Sequence, residues 1–314
     1  MTAPLAITMG DASGVGPEIL LRTFCEGGLG DDVIVYGDAA ILRHGARMLG
    51  LTVDWDQLPI VDLGLLASTD HRPGRIDEAT GAAARAYVER ATLDALAGKV
   101  AGLVTMPMNK EATQLSDPTF VGHTEFVAQI CGVEKVTMML TNGPLAVTHV
   151  STHVSLAEAI NRVRADRVLD VVHLTVDTLR RFIPRPRIAV CGLNPHAGEN
   201  GMFGTEEAEH IVPAIEAAVA EGIDCTGPHP ADTVFYQALH RGRFDAIVCM
   251  YHDQGHGPMK LIAFDTGVNV TLGLPIVRTS VDHGTAYDIA WTGRAFTDSL
   301  HHALAYARKL VAKG

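Results

Sequence analysis

Short apolar runs alternate with amphipathic stretches along most of this chain, and Gly- or Pro-rich turns separate them. Residues 5–9 (LAITM) read as a strand, Gly10 to Gly16 as a tight turn, and Ile19 to Phe24 as a helix whose first turn accommodates Pro17. The same alternation predicts a strand at 33–37, a helix at 38–50, an alanine-rich helix at 76–97 and a strand from Val100 to Thr105. A helix is expected at 122–130. Val136–Leu140 and Leu145–Thr148 read as a hairpin about Asn142-Gly143. Helices follow at 155–161, 165–180, Thr205–Glu221 and Thr233–Leu239, with strands at Arg187–Cys191 and Ala246–Met250. Val268–Leu272 and Ile276–Arg278 are extended, and Ala286–Ala312 is predicted as mostly helix, capped by Asp282 or Thr285. Alternating strands and helices place the chain in the α/β class, and consecutive strands without an intervening helix make the sheet mixed.

At 314 residues and 47% hydrophobic, the chain can bury a sizeable core without disulfides. Length predicts about two domains. The formal charge of −11 disfavours nucleic acid and anionic membranes as partners. Val136 to Leu156 has no Asp, Glu, Lys or Arg, yet Asn142, Gly143, Pro144, His149 and His153 argue against a membrane span. The five cysteines form no CxxC pair. Cys191 and Cys249 lie in apolar strand-like runs and read as small core residues in a cytoplasmic protein without an export signal.

Three histidines each follow a strand-like run: His153 in THVSTH, His196 in CGLNPHAG and His252 in CMYHDQGH. Loops at strand C-termini line ligand crevices in α/β sheets, and three neutral imidazoles leave coordination positions open for substrate. Their wide separation also fits three unrelated structural histidines. His149, on an alternating strand, reads as structural. The G-x-x-x-G-x-G loop, Gly10 to Gly16, is neither a P-loop nor the G-x-G-x-x-G fingerprint. It is either a tight structural turn or a helix N-terminus facing an anion, and Asp11 fits a basic side chain or hydroxyl better than a phosphate. Lys110 and Lys260 are read as following proline-containing loops. With Asn269 and Arg278 they are the basic and polar groups placed among apolar, Gly-rich segments, Arg being suited to a two-point grip on phosphate or carboxylate. A metal-dependent aldolase or hydrolase, or a sugar-phosphate sensor, is also compatible with these residues alone.

GDASGVGPEI (10–19), TMPMNKEA (105–112), GHTEF (122–126), GLNPHAGENGMFGTEE (192–207), GPHPADT (227–233), YHDQGHGPMK (251–260) and GVNVTLGLPIVRTSVDHGTAYDIA (267–290) together resemble the 4-hydroxythreonine-4-phosphate dehydrogenase family. The likeness extends over nearly the whole chain and favours the catabolic 4-phospho-D-threonate and 4-phospho-D-erythronate dehydrogenase branch. Biosynthetic members usually read Gly-Leu-Pro where this chain has Gly255-His256-Gly257-Pro258. Ala12-Ser13 stands where Pro-Ala or Pro-Gly is usual.

The resemblance implies an isocitrate/isopropylmalate-dehydrogenase-like fold: two α/β domains flanking a cleft, one from 1–130 with 265–314, the other from 131–264 with the dimer interface. It implies a homodimer with a shared active site. His153, His196 and His252 match the family's ligands for a divalent cation (Zn, Mg, Mn or Co), with His252 given by the partner subunit. His123, Thr124, Lys260, Asn269 and Arg278 match substrate contacts, and Lys260 and Asp232 are the candidate catalytic residues, Lys110 rivalling Lys260 as the base. His283, Gly284, Thr285, Ala286 and Asp288 resemble a loop that binds NAD. The implied reaction is metal-assisted oxidation of the C3 hydroxyl of a phosphorylated four-carbon sugar acid, followed by decarboxylation to dihydroxyacetone phosphate. The alternatives are 4-hydroxythreonine-4-phosphate oxidation for pyridoxal phosphate synthesis and dehydrogenation of a dihydrodiol dicarboxylate.

Overall fold

The computed structural model describes residues 3–313. In chain order its elements are β1 (Leu5–Thr8), α1 (Gly16–Cys25), β2 (Val33–Gly37), α2 (Ala39–Met48), β3 (Ile60–Asp62), α3 (Glu78–Leu96), β4 (Gly102–Thr105), α4 (Lys110–Ser116) and α5 (His123–Cys131). There follow β5 (Thr137–Thr141), β6 (Ala146–His149), α6 (Leu156–Asn161), α7 (Ala165–Leu179), β7 (Ile188–Cys191), α8 (Val212–Ala220), β8 (Cys225–His229) and α9 (Ala231–Arg241). The last are β9 (Ala246–Cys249), α10 (His252–Ala263), β10 (Val268–Leu272), β11 (Val277–Val281) and α11 (Asp298–Val311). Among the described residues no helix is long and apolar enough to cross a membrane.

The chain divides into two compact units, one running to Glu134 and resuming at Leu274–Ala312, the other Lys135–Gly273. The boundaries that the resemblance implies are 130/131 and 264/265. Residues 268–272 belong with the second unit because β10 pairs antiparallel with β5, Asn269 opposite Leu140.

The first unit carries five parallel strands in the order β3-β2-β1-β4-β11. β1 and β4 are buried on both faces, as their continuous apolar runs require. The order reverses direction at β1, so the segments leaving β1, β4 and β11 all emerge at one sheet edge, where such folds bind ligands. Those segments are the glycine loop, Met106–Lys110 and the stretch after Val281.

The second unit is mixed, in the order β10-β5-β6-β9-β7-β8, with β5 antiparallel to both neighbours and β6, β9, β7 and β8 parallel. The expected hairpin joins β5 and β6 with Gly143 at φ +95°. Leu140, Val147, Ala189, Ile247, Phe235 and Met259 build its core with Cys191 and Cys249, whose Sγ atoms lie 4.0 Å apart. The two cysteines are the small buried residues their apolar runs predicted.

Two local expectations fail, those for residues 252–263 and for the start of the C-terminal helix. Residues 252–263 form a helix, α10, rather than a proline loop, so Lys260 sits on a helix, whereas Lys110 follows the expected loop with Pro107 and opens α4. Gly255 makes this possible: a Cβ there would lie 2.5 Å from His149 Nε2 and 2.6 Å from Val147 Cγ1. Tertiary packing of the glycine face overrides the poor helix propensity of Gly255, Gly257 and Pro258. The C-terminal helix starts at Asp298, not Ala286, so neither Asp282 nor Thr285 caps it. Ala286, Trp291 and Gly293 take left-handed φ values of 40°, 62° and 77°, and the buried Trp291 indole donates to the Ala12 carbonyl at 2.8 Å. The expected helix 205–221 is present, its first turn, Glu207–Ile211, being π-helical before α8, and Pro195–Gly201 ahead of it forms a left-handed turn for which the sequence predicts no element.

Candidate active site

β6, β9 and β7 are adjacent and parallel, and their C-terminal ends deliver His153, His252 and His196 to one edge of the second unit's sheet. His153 and His252 come together, with ring centroids 5.5 Å apart. They line a cavity of about 430 Å³ with Leu156, Tyr251 and Asp253. Asp253 Oδ1 lies 2.7 Å from His252 Nδ1, so this nitrogen donates and the Nε2 lone pair is left for a ligand. The donor chemistry therefore suits a divalent cation. Within one chain the set is incomplete, since no group of three His, Cys, Asp or Glu side chains among the described residues is close enough to hold a metal. The ring that His196 approaches is Phe203, at 6.4 Å between centroids.

His196 is presented by an unusual backbone. His196, Ala197, Gly198, Glu199 and Asn200 all have φ between 43° and 81°. A non-glycine residue in that region costs about 1–2 kcal/mol, so the turn must be held by its surroundings. Glu207 holds it. The buried carboxylate accepts from the Leu193 and Asn194 backbone N–H groups, both at 2.7 Å, and from Asn194 Nδ2 at 2.9 Å. A Cβ on Gly198 would lie 2.7 Å from the carboxylate, and one on Gly192 3.2 Å. Gln254, in the first turn of α10, donates to the Gly192 carbonyl at 2.8 Å and accepts from Met250 N at 2.7 Å.

His252, His256 and Lys260 recur every four residues along α10 and so share one face. His256 stacks on His252, with centroids 3.9 Å apart and rings tilted by 9°. Beneath it lies His149, which is fully buried, as its structural reading expected. Burial lowers the His149 pKa to about 4 and the His256 pKa to about 3, so both are neutral at pH 7. The half-buried Lys260 rests its ammonium over the Phe264 ring, 5.2 Å from the centroid. On β10, Asn269 Nδ2 donates to Met138 Sδ at 2.8 Å, while its buried Oδ1 has no hydrogen-bond partner among the described residues. Asp232 is exposed in the first turn of α9, a position that complements a helix N-terminus.

In the first unit, Arg278 of β11 is only 4% exposed. Its guanidinium donates to Thr105 Oγ1 at 3.0 Å and Thr124 Oγ1 at 3.3 Å. Burial pulls its pKa down to about 10, against a weaker opposing effect of Glu125. His123 opens α5 beside it. Burial and the Arg278 charge lower the His123 pKa to about 3, and its enclosed Nε2 has no hydrogen-bond partner among the described residues. A buried guanidinium beside two hydroxyls and a neutral imidazole, within the field of Glu125, is chemistry that an anion can use.

The glycine loop is a buckle rather than a phosphate cradle. Residues 10–16 are buried, and Asp11 accepts from Ser13 N at 2.8 Å and from the Tyr287 hydroxyl at 2.6 Å. Asp11 thus takes the hydroxyl that its sequence context favoured. Its pKa is raised, burial outweighing these hydrogen bonds. Val15 N donates to Thr285 O at 2.9 Å, and a Cβ on Gly14 would lie 2.9 Å from that oxygen. The loop thereby fixes the irregular segment carrying His283, Gly284, Thr285, Ala286 and Asp288. There His283 Nδ1 lies 3.0 Å from Gly284 O, and Gly284 and Asp288 are exposed.

Three participants escaped sequence reasoning: Thr105, Asp253 and Glu207. The first two adjoin recognised features, the end of a strand and a candidate ligand. Glu207 lies eleven residues beyond His196, a separation that only the left-handed turn closes.

Residues 30–307 match the family described as pyridoxal phosphate biosynthetic protein PdxA. A protein of Geobacter metallireducens named 4-hydroxythreonine-4-phosphate dehydrogenase is 45% identical, the alignment covering 98% of this chain and 95% of that protein. One of Cupriavidus necator named D-threonate 4-phosphate dehydrogenase is 43% identical, covering 98% and 97% respectively. The crystal structure of a 4-hydroxythreonine-4-phosphate dehydrogenase from Klebsiella pneumoniae superposes with a TM-score of 0.88 at 40% identity, covering 98% of this chain and 99% of that one.

Proposed function

The chain belongs to the PdxA family, and from that premise we propose that it is a dehydrogenase of phosphorylated four-carbon sugar acids, oxidising C3 of 4-phospho-D-erythronate or D-threonate 4-phosphate. The C3 ketone is β to the carboxylate, so carbon dioxide leaves and dihydroxyacetone phosphate remains. The observation that carries this reading is Arg278, buried and bonded to the hydroxyls of Thr105 and Thr124. An anionic substrate group would bind at this guanidinium, and His123 donates or accepts beside it.

His153, His196 and His252 would hold a divalent cation; the resemblance assigns His252 to the partner subunit, whereas within one chain His252 already lies beside His153. His283, Gly284, Thr285, Ala286 and Asp288 would hold NAD. Bound there, the cation would stabilise negative charge on substrate oxygen and the dinucleotide would accept the C3 hydride. Asp253 keeps the proton of His252 on Nδ1, which supports the ligand role of Nε2. Lys260, as the neutral amine, is the residue proposed to take the C3 hydroxyl proton, with Lys110 as the alternative, and Asn269 a further substrate contact. Leu261 and Phe264, 89% and 69% exposed at the end of α10, are apolar side chains that a homodimer would cover.

The test is NADH formation from 4-phospho-D-erythronate, D-threonate 4-phosphate, 4-hydroxythreonine 4-phosphate and a cyclic diol acid, each with and without chelator. The expected result is turnover of the first two, abolished by chelation. Preference for 4-hydroxythreonine 4-phosphate would select the biosynthetic reading, which the Geobacter relative's name favours. Turnover that survives exhaustive metal removal would overturn the metal-dependent reading.

A further inference from the structure

We propose that Glu207 is a positioning residue for His196, its buried carboxylate locking the left-handed turn that aims the imidazole. This rests on the reading of His196 as a cation ligand. Five consecutive residues, His196 to Asn200, occupy the left-handed region, and four of them are not glycine. Such a run does not persist on local preference. Within the turn, Ala197 N donates to Asn194 O at 3.1 Å and Phe203 N to Gly198 O at 3.2 Å. Those bonds close the turn on itself and do not fix its orientation on the sheet. The Glu207 carboxylate does, because one oxygen binds the two N–H groups that lead into the turn while the other binds Asn194 Nδ2.

The fit is steric as well as polar. Gly192 and Gly198 flank the carboxylate, and a methyl group on Gly198 would collide with it at 2.7 Å. Asn194 Nδ2 is also held by Glu206 Oε2 at 2.7 Å. Gly204 lies across from this pair, where a Cβ would come within 2.5 Å of the amide nitrogen. His196 itself is exposed, and among the described residues no carboxylate clamps it as Asp253 clamps His252. Its aim is therefore set through the backbone, and Glu207 is the group that sets the backbone.

The experiment is titration of the metal-free full chain with Co²⁺ alone, followed by calorimetry, for wild type, His196→Ala, Glu207→Ala, Glu207→Gln and Asn194→Ala. Circular dichroism establishes which variants are folded, and KM and kcat are measured at saturating Co²⁺. Removing a group that orients a ligand typically weakens metal affinity 10- to 100-fold. The expected result is about a 10-fold or greater loss for Glu207→Ala. A smaller loss is expected for Glu207→Gln, whose amide oxygen still accepts the two backbone N–H groups, and saturating Co²⁺ should restore most of kcat. Affinity within twofold of wild type in folded Glu207→Ala, while His196→Ala loses it, overturns the proposal and leaves the ligand reading intact. Wild-type affinity in His196→Ala overturns the ligand reading itself, and the proposal with it. If both Glu207 variants fail to fold, Asn194→Ala decides, with a loss of at least threefold expected and an unchanged affinity refuting.

Discussion

His256 Nδ1 lies 3.1 Å from His149 Nε2, and the protons on this pair are fixed by a backbone carbonyl. Met138 O, 3.4 Å from His149 Nδ1, can only accept, so His149 carries its proton on Nδ1. Its Nε2 must then accept, and His256 donates from Nδ1. His256→Leu removes that donor and leaves a fully buried acceptor unpaired. The expected loss is about 1–3 kcal/mol in urea unfolding, with near-neutral recovery in the His149→Phe/His256→Leu double variant if the larger ring is tolerated. A single variant as stable as wild type would show that the pair contributes no net hydrogen bond.

Arg278 should act on binding rather than on turnover. A hydrogen bond to a charged group is worth about 1.5–3 kcal/mol, so Arg278→Ala should raise the KM for a phosphorylated sugar acid roughly 10- to 150-fold. Arg278→Lys should recover little, because one ammonium cannot reproduce the two-point geometry that Thr105 and Thr124 hold in place. Steady-state kinetics on 4-phospho-D-erythronate checks both, and an unchanged KM would remove Arg278 from the substrate site.

The Asp11–Tyr287 bond, 2.6 Å and partly buried, ties the glycine loop to the segment proposed to bind NAD. Tyr287→Phe and Asp11→Asn should each destabilise the protein by about 1–3 kcal/mol, and the double variant should cost less than the sum. Tyr287→Phe should also raise the KM for NAD more than that for substrate. Equal increases in both constants would show that the buckle does not act through the 283–288 segment.

The pattern of apolar positions located the strands and helices whose own residues dictate them. β1, α1, α3, the β5–β6 hairpin and α7 fall within a few residues of their expected bounds. What it missed depends on contacts between segments distant in sequence. α10 needs the ring of His149 against Gly255, and the late start of α11 needs Trp291 anchored on Ala12. The left-handed turn needs a carboxylate from Glu207, so PHAGENG looks like any glycine-rich loop when read alone. The candidate site was legible for a different reason. His153, His196 and His252 follow strands, and adjacent parallel strands bring their C-terminal ends to one edge. Sequence spacing does not reveal that these strands are neighbours, nor that only His153 and His252 meet within one chain.

His71 predicts an acid sensitivity independent of the candidate metal ligands. It is 8% exposed and sits edge-on to Trp291, with ring centroids 4.6 Å apart, and to His44 at 5.3 Å. Burial, then the nearby charges of His44 and Arg72, lowers its pKa from 6.5 to about 4, and its buried Nε2 has no hydrogen-bond partner among the described residues. The folded state thus resists a proton that the unfolded chain accepts. The His71 contribution to stability is complete above about pH 6.5 and is lost progressively as pH falls toward about 4, below which the folded form is protonated as well. His71→Phe keeps the ring contacts and removes the titration. The variant should therefore lose less stability than wild type between pH 6.5 and 4, measured by urea unfolding with Trp291 fluorescence as one probe and circular dichroism as the other. Parallel stability–pH curves for the two proteins over that interval would show that His71 titrates normally in the folded state.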